Sequence, residues 1–182
     1  MNRVSFQGER GAYSESAAIV FFGNKVETIP CTTFANALKN TENDTSDYSI
    51  LPVENSLEGS VGESIDLLLS KNLNVVGEIY HRIHHCLIGT GPLAEIEVVY
   101  SHPQALGQCR QFIQENELEI MPTTDTAGSV QMIRDLHHDS SACIASKEAA
   151  KIYDVPVIQE GIEDNANNYT RFLIFSKEKS DK

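Results

Sequence analysis

Short apolar runs alternate along the chain with longer segments in which apolar residues recur at helical spacing. The first half of the chain predicts a strand at residues 3–7, a helix at 14–22, a strand at 26–31, a helix at 34–40, a strand at 48–53 and a helix at 61–69. Strands that alternate with helices in this way are typical of α/β proteins. We therefore predict an α/β fold.

The regular alternation is interrupted by an extended stretch at residues 73–88, which contains Gly77. This stretch is too long for one ordinary strand, and glycine weakens a strand from inside. We therefore expect the chain to leave one sheet near Gly77 and to enter a second sheet.

The second half repeats the alternation, with strands predicted at 96–100, 118–122 and 142–145 and helices at 103–115, 126–137 and 147–153. A polar segment at 159–169 then precedes a last apolar strand at 171–176, which has no partner in its own neighbourhood. We expect this strand to return to the first lobe after a crossing near Asn165. The prediction is two α/β lobes with a cleft between them: residues 1–76 and 167–182 form the first, and residues 77–166 form the second.

Composition and charge restrict the partners. The chain has 182 residues, of which 41% are hydrophobic, so it is long enough and apolar enough to bury a core. Fourteen Lys and Arg against 26 Asp and Glu give a net charge of −12, which disfavours nucleic acid and anionic membranes as partners. An anionic small ligand would therefore need local hydrogen-bond donors.

The cysteines and the first residues indicate the compartment. The four cysteines are far apart in sequence and form no C-x-x-C pair, so we expect buried thiols in a reducing environment. Residues 1–8 contain no apolar signal region, and no apolar run is long enough to cross a bilayer. We therefore expect a cytoplasmic protein.

Two loops that open helices carry more polar residues than a helix start requires. Ser60 and Glu63 have the spacing of a capping box, but Glu54, Asn55 and Ser56 add three polar side chains directly after a strand. The surplus favours a binding site over a plain capped helix.

The second such loop begins at Ser101. Ser101 and Gln104 repeat the capping spacing around Pro103, and Gln108 follows on the next turn, where capping does not explain it. In the loop at residues 123–128, we predict that Asp125 only caps a helix.

Three further features of the sequence bear on its chemistry. His81, His84 and His85 lie in an extended segment, where His84 faces away from the other two, so we predict no metal site. The glycines near the N-terminus lack the G-x-G-x-x-G spacing of a dinucleotide site. Thr170 and Arg171 place a hydroxyl and a bidentate cationic donor at the start of the returning strand, although Arg171 taken alone is also compatible with an ordinary surface cation.

Four blocks in this order resemble the signature blocks of the prephenate dehydratase family. They are Gly8-x-x-Gly11-Ala12-Tyr13-Ser14, Pro52-Val53-Glu54-Asn55-Ser56-Leu57-Glu58-Gly59-Ser60-Val61, Ser101-His102-Pro103-Gln104-Ala105-Leu106-Gly107-Gln108-Cys109 and Asn168-Tyr169-Thr170-Arg171-Phe172. The resemblance extends over nearly the whole chain. Four blocks in the right order leave little room for coincidence.

This resemblance implies one catalytic domain of two α/β lobes, similar to type II periplasmic binding proteins. It also implies decarboxylative dehydration of prephenate to phenylpyruvate in phenylalanine biosynthesis, with no metal or organic cofactor. Carried over by position, the expected catalytic residues are Thr170, Asn55 and Gln108, and the expected substrate-binding residues are Arg171, Ser101, Glu54, Ser56 and Phe172. Arogenate dehydratase, which acts on the amino analogue, is the alternative, followed by a non-catalytic small-molecule binding module.

Two departures from the family pattern stand out. Many members have Ser-Thr-Ala where this chain has Asp125-Thr126-Ala127, which weakens any direct role for position 125. Members commonly continue into an ACT domain that binds phenylalanine, so ending at Lys182 implies that this domain was removed or that the enzyme lacks that control. We expect a homo-oligomer, in the form of a dimer, although the residues themselves do not decide the oligomeric state.

Overall fold

The chain folds into two α/β units in a computed structural model that describes residues 1–23, 25–70 and 72–179. The first unit comprises Met1–Glu9, Tyr13–Arg82 and Asn167–Lys182, and the second comprises Arg10–Ala12 and Ile83–Ala166. In chain order the elements are β1 (Asn2–Gln7), α1 (Tyr13–Phe22), β2 (Val26–Cys31), α2 (Phe34–Glu42), β3 (Tyr48–Asn55), β4 (Gly59–Ser60), α3 (Gly62–Ser70), β5 (Asn74–Arg82), β6 (Cys86–Gly89), β7 (Val98–Ser101), α4 (Pro103–Gln108), α5 (Arg110–Glu115), β8 (Glu119–Pro122), α6 (Thr126–Leu136), β9 (Ser141–Ala145), α7 (Lys147–Tyr153), β10 (Val157–Glu160) and β11 (Tyr169–Ser176).

The sheet of the first unit has the strand order β2-β1-β3-β11-β5, with the short β4 paired to β3. The first three strands are parallel, whereas β11 runs antiparallel to both of its neighbours. Leu51 and Phe175 pack with Leu38 of α2, while Ile50, which points to the opposite face, is equally buried. Apolar layers therefore cover both faces of this sheet.

The sheet of the second unit has the order β10-β6-β9-β7-β8. Consecutive residues of β9 belong to different apolar clusters, Cys143 to one and Ile144 to the other, so this sheet is also covered on both faces.

Cys86, Cys109 and Cys143 are buried as expected, whereas Cys31 is half-buried, and all four are free thiols. Burial raises the pKa of the Cys86 thiol to about 11. No helix in the described part of the chain combines the length and apolar character needed to cross a membrane.

The last strand returns to the first sheet, as its isolation in the sequence predicts. β11 lies between β3 and β5 and forms long ladders with both. The sequence does not predict β10, which is a short strand at the edge of its sheet. Half of its residues are exposed, so its sequence lacks the apolar run from which a strand is predicted.

The single helix predicted at residues 103–115 is two helices that meet at Cys109. Asp164 explains the break. Its N–H donates to the carbonyl of Gln108 at 2.8 Å, and its carboxylate accepts from the N–H groups of Arg110 and Gln111 at 3.1 and 3.0 Å. The polar groups that a continuous helix would satisfy internally are satisfied here by a distant residue.

The chain leaves the first unit after Arg82, later than the position near Gly77 that the sequence predicts. β5 continues through Gly77, which pairs with Ile174 of β11. A Cβ atom at Gly77 would lie 2.6 Å from Cζ of Phe21. This glycine therefore allows an aromatic ring of α1 to approach the strand, and it does not mark a change of sheet.

Gly11 holds the N-terminal segment of the second unit against α7. Its φ of +89° is in the left-handed region, and a Cβ atom there would lie 2.5 Å from Cα of Ala149. Ser146 caps α7 by accepting from the N–H of Ala149 at 3.0 Å, and its hydroxyl donates to the carbonyl of Gly11 at 2.7 Å. Both the turn and the close approach therefore require glycine.

We predict that Gly11→Ala lowers the free energy of unfolding by at least about 2 kcal/mol, because it combines a left-handed backbone with a backbone clash. Gly107→Ala is the matched control, since nothing lies within 4 Å of its added Cβ and it stands inside a helix. Urea unfolding of the two variants and the wild type measures the difference. Equal midpoints for Gly11→Ala and the wild type would contradict this account.

Candidate active site

Asn55 is the centre of a buried hydrogen-bond cluster in the first unit. It ends β3, its residue is only 4% exposed, and it lies directly opposite Thr170 of β11. Its Oδ1 accepts from the backbone N–H groups of Leu57 and Glu58 at 2.9 and 3.1 Å. Because those two groups can only donate, they determine which end of the amide is the oxygen.

The other end of this amide holds two side chains of the returning segment. Asn55 Nδ2 donates to Oγ1 of Thr170 at 3.0 Å and to Oδ1 of Asn168 at 2.9 Å. The Thr170 hydroxyl therefore accepts from Asn55, and its own hydrogen must point in another direction. This arrangement leaves the Thr170 hydroxyl able to donate to a third group.

Ser56 joins the same segment to the loop after β3. Its N–H donates to the carbonyl of Tyr169 at 2.9 Å. Its Oγ donates to the carbonyl of Asn167 at 2.9 Å and accepts from the N–H of Tyr169 at 2.9 Å. Through these bonds Ser56 fixes the backbone of the segment that carries Asn168 and Thr170.

The structure does not bring Arg171 to the Asn55 cluster. Consecutive residues of a strand point to opposite faces, so Arg171 lies on the face of β11 away from Thr170. There its Nε and Nη2 donate to Oε2 of Glu78 at 2.9 and 2.6 Å, and its guanidinium lies 5.8 Å from the centre of the Tyr80 ring. Glu54 is its exposed neighbour on β3.

Phe172 and Ser101 are structural supports in their own units. Phe172 is buried, and its ring meets that of His81 edge-on with centroids 6.5 Å apart. Ser101 is fully buried, and its hydroxyl donates to the carbonyl of Ile144 at 2.6 Å, which ties β7 to β9. Neither side chain is exposed enough to present a broad surface to a ligand.

Gln108 forms a second buried polar cluster, in the second unit. Its Oε1 lies 2.9 Å from Nε2 of His85, and the two residues are 7% and 2% exposed. Burial lowers the pKa of His85, although the Gln108 bond and the charge of Glu163 act in the opposite direction. The ring is therefore neutral at physiological pH.

Glu163 connects this cluster to the neighbouring histidine. Its Oε2 accepts from the backbone N–H of His85 at 2.9 Å, and its Oε1 lies 2.7 Å from Nδ1 of His84. Burial disfavours the charge of Glu163, but the N–H groups of Glu163 and His85 and the His84 ring together lower its pKa below the usual range. Across residues 1–23, 25–70 and 72–179, no three His, Cys, Asp or Glu side chains gather as metal ligands.

The helix-start predictions have mixed outcomes. Asp125 caps α6 as predicted, because its Oδ1 accepts from the N–H of Gly128 at 2.6 Å. Ser60 instead lies in β4, paired with Glu54, and α3 begins at Gly62. The sequence alone gives no role to Glu163 or to Asn168, although Asn168 begins the fourth block, because the contacts of both are long-range.

A comparison with protein-family models matches residues 4–180 to the prephenate dehydratase model. The chain belongs to the prephenate dehydratase family. The match covers both units and includes every residue of the Asn55 and Gln108 clusters described above.

Relatives and solved structures agree with this family. The chain is 40% identical over 178 residues to arogenate dehydratase/prephenate dehydratase 2, chloroplastic, of Arabidopsis thaliana, covering 97% of this chain and 46% of the relative. It is 27% identical to a prephenate dehydratase from Arthrobacter aurescens solved in complex with L-Phe, with a TM-score of 0.89 over 98% of this chain and 61% of that one. GqqA, described as a novel type of quorum quenching acylase, is 33% identical with a TM-score of 0.89, over 98% of this chain and 65% of that one.

The chain thus spans less than half the length of the plant relative. A ligand-binding component of an ABC-type import system from Staphylococcus aureus, solved with zinc bound, shares only 7% identity at a TM-score of 0.53, over 97% of this chain and 66% of that one. That likeness concerns the fold alone. It confirms the predicted similarity of this prephenate dehydratase family member to binding proteins.

We predict that Glu163→Gln destabilises the protein by about 1 to 2 kcal/mol at pH 7 and by less at low pH. A carboxyl whose folded pKa is depressed contributes stability above its unfolded pKa, near 4.5, and loses it as the pH falls through the lower folded value. Urea unfolding at pH 7 and at pH 3.5 measures the difference, with Glu119→Gln as an exposed control. A wild-type advantage that stays constant with pH would count against the assigned charge.

Proposed function

We propose that this chain catalyses the decarboxylative dehydration of prephenate to phenylpyruvate, the reaction for which its family is named. The observation that supports this most strongly is the fixed amide of Asn55, which leaves the hydroxyl hydrogen of Thr170 available to an oxygen of the substrate. Carbon–oxygen bond cleavage needs a donor at the departing oxygen.

The chemistry requires little covalent help from the protein. The bond between the ring and its carboxylate breaks, its electron pair moves into the ring, and the hydroxyl leaves from the opposite carbon. The hydroxyl oxygen gains one proton and leaves as water, and the carboxylate leaves as carbon dioxide. Formation of the aromatic ring drives both losses, so the protein has to bind, align and donate hydrogen bonds.

Thr170 is the proposed donor to the leaving oxygen. A threonine hydroxyl is a weak acid, so its contribution is a hydrogen bond that strengthens as charge develops on the oxygen. In this proposal Asn55 acts through Thr170, because both ends of its amide are bonded within the protein. A donor role for Gln108, which lies in the second unit, stays a prediction.

The remaining predicted residues support this chemistry less directly. Ser56 and Phe172 hold the segment that carries Thr170, and Ser101 fixes the strand before α4. The role of Arg171 as a carboxylate ligand stays a prediction. To bind a substrate carboxylate, its guanidinium would have to release Glu78 or bind both carboxylates at once.

Two related activities are alternatives. Arogenate differs from prephenate by an ammonium group in place of the keto group, and the Arabidopsis relative is named for both substrates. Acyl transfer, suggested by the acylase relative, needs a nucleophile activated by a base. The hydroxyl of Thr170 instead accepts from an amide donor, which favours elimination. The cytoplasmic location and the homodimer stay predictions.

The experiment is incubation of the chain with prephenate and, separately, with arogenate after exhaustive chelation of metals, following phenylpyruvate and phenylalanine. We expect turnover of prephenate. Saturable binding without turnover would indicate a binding module, and restoration of lost activity by one divalent metal would contradict a metal-free elimination.

In the same assay we expect Thr170→Val to lower kcat by about 10² to 10³ with little change in KM, because valine keeps the shape and removes the donor. Thr45→Val, at an exposed loop position of the same unit, is the control and should match the wild type. A folded Thr170→Val variant with wild-type kcat would remove Thr170 from the mechanism.

A further inference from the structure

Asn168 is the member of the Asn55 cluster to which the sequence gives no role. Its residue is fully buried. The backbone on both sides of it is held by Ser56, whose Oγ donates to the carbonyl of Asn167 and accepts from the N–H of Tyr169, each at 2.9 Å. The side chain of Asn168 is therefore presented to Asn55 from a fixed support.

The amide of Asn55 determines which atom of Asn168 it meets. Because Oδ1 of Asn55 accepts from two backbone N–H groups, Nδ2 of the same amide must donate to Asn168. The atom of Asn168 that lies 2.9 Å from this Nδ2 is therefore its oxygen, Oδ1. The facing ends of both amides thus follow from backbone groups that can only donate.

Two hydrogens on Nδ2 of Asn55 face three acceptors. Oδ1 of Asn168 lies at 2.9 Å, Oγ1 of Thr170 at 3.0 Å and the carbonyl of Tyr169 at 3.3 Å. The carbonyl of Tyr169 already accepts from the N–H of Ser56 at 2.9 Å. Asn168 therefore takes one hydrogen of the amide, and the other is left for Thr170.

Removal of the Asn168 oxygen would leave one of these buried hydrogens without its acceptor, which is costly. The Asn55 amide would then gain by turning toward the carbonyl of Tyr169, and this turn would weaken its bond to Thr170. We propose that Asn168 is a positioning residue of the dehydratase reaction, whose Oδ1 holds the Asn55 amide so that its second hydrogen stays on the Thr170 hydroxyl. The inference rests on the proposed function.

A double-mutant cycle in the dehydratase assay tests the role of Asn168. We expect Asn168→Leu, which is similar in shape but has no acceptor, to lower kcat by about tenfold to a hundredfold with little change in KM. In the Thr170→Val background the same substitution should lower kcat no further, since Asn168 acts only through Thr170.

Two further variants separate the lost acceptor from a general disturbance. Asn168→Asp should keep more of kcat than Asn168→Leu, because its ionised and protonated forms both retain an oxygen that accepts from Asn55. Asn72→Leu, at an exposed position of the same unit, should match the wild type. A folded Asn168→Asp variant as impaired as Asn168→Leu would count against the inference.

NMR of the side-chain amides in the wild-type chain provides a readout that depends neither on catalysis nor on the folding of a variant. We expect both hydrogens on Nδ2 of Asn55 to exchange slowly with solvent, because each has a buried acceptor. Rapid exchange of either hydrogen would overturn the inference, as would independent losses of kcat in the cycle. A wild-type chain that turns over neither prephenate nor arogenate contradicts the proposed function together with this role. An active wild type with a folded, unaffected Asn168→Leu variant contradicts this inference alone.

Discussion

The site of the first unit depends on the orientation of one buried side chain, the amide of Asn55. Two backbone N–H groups bind its oxygen, and its nitrogen donates to Thr170 and Asn168. A flipped amide would turn its NH₂ group toward the N–H groups of Leu57 and Glu58, a costly arrangement in a buried place. One orientation therefore survives, and it keeps the Thr170 hydroxyl hydrogen from pointing at Asn55.

Backbone N–H groups hold both polar clusters in place. Leu57 and Glu58 supply the N–H groups that fix Asn55, and Asp164 satisfies the groups left open between α4 and α5. This construction suits a protein with a net charge of −12, whose overall field repels anionic ligands. Fixed dipoles supply the local attraction without long cationic side chains.

Periodicity predicts those elements whose cause is local. The predicted strand at β2 and the predicted helix at α7 agree with the structure at both ends, because each is a single run with clear boundaries. The break at Cys109 depends on Asp164, which is more than fifty positions away from Arg110. No pattern within the predicted helix could reveal it.

The same distinction holds for the site residues. The motif blocks identify Asn55, Gln108 and Thr170 as candidates, but they do not say which side chain acts on which. The sequence does not reveal the pairing of Arg171 with Glu78, because this pairing depends on strand register and side-chain length. From the sequence, Arg171 is therefore a candidate ligand for a substrate carboxylate. The partnership of His85 with Gln108 depends on tertiary packing of a loop segment against a helix.

The most direct measurement of the central claim is the pH dependence of kcat for Asn55→Asp. The introduced carboxyl still accepts from Leu57 and Glu58, but it has no hydrogen for Thr170 when ionised, so the Thr170 hydroxyl turns inward to donate to it. We expect a kcat about 10² to 10³ below wild type at pH 8, with a deficit that shrinks as the carboxyl becomes protonated at lower pH. Asn72→Asp, at an exposed position of the same unit, should match the wild type throughout. A folded Asn55→Asp variant with wild-type kcat at pH 8 would contradict the account.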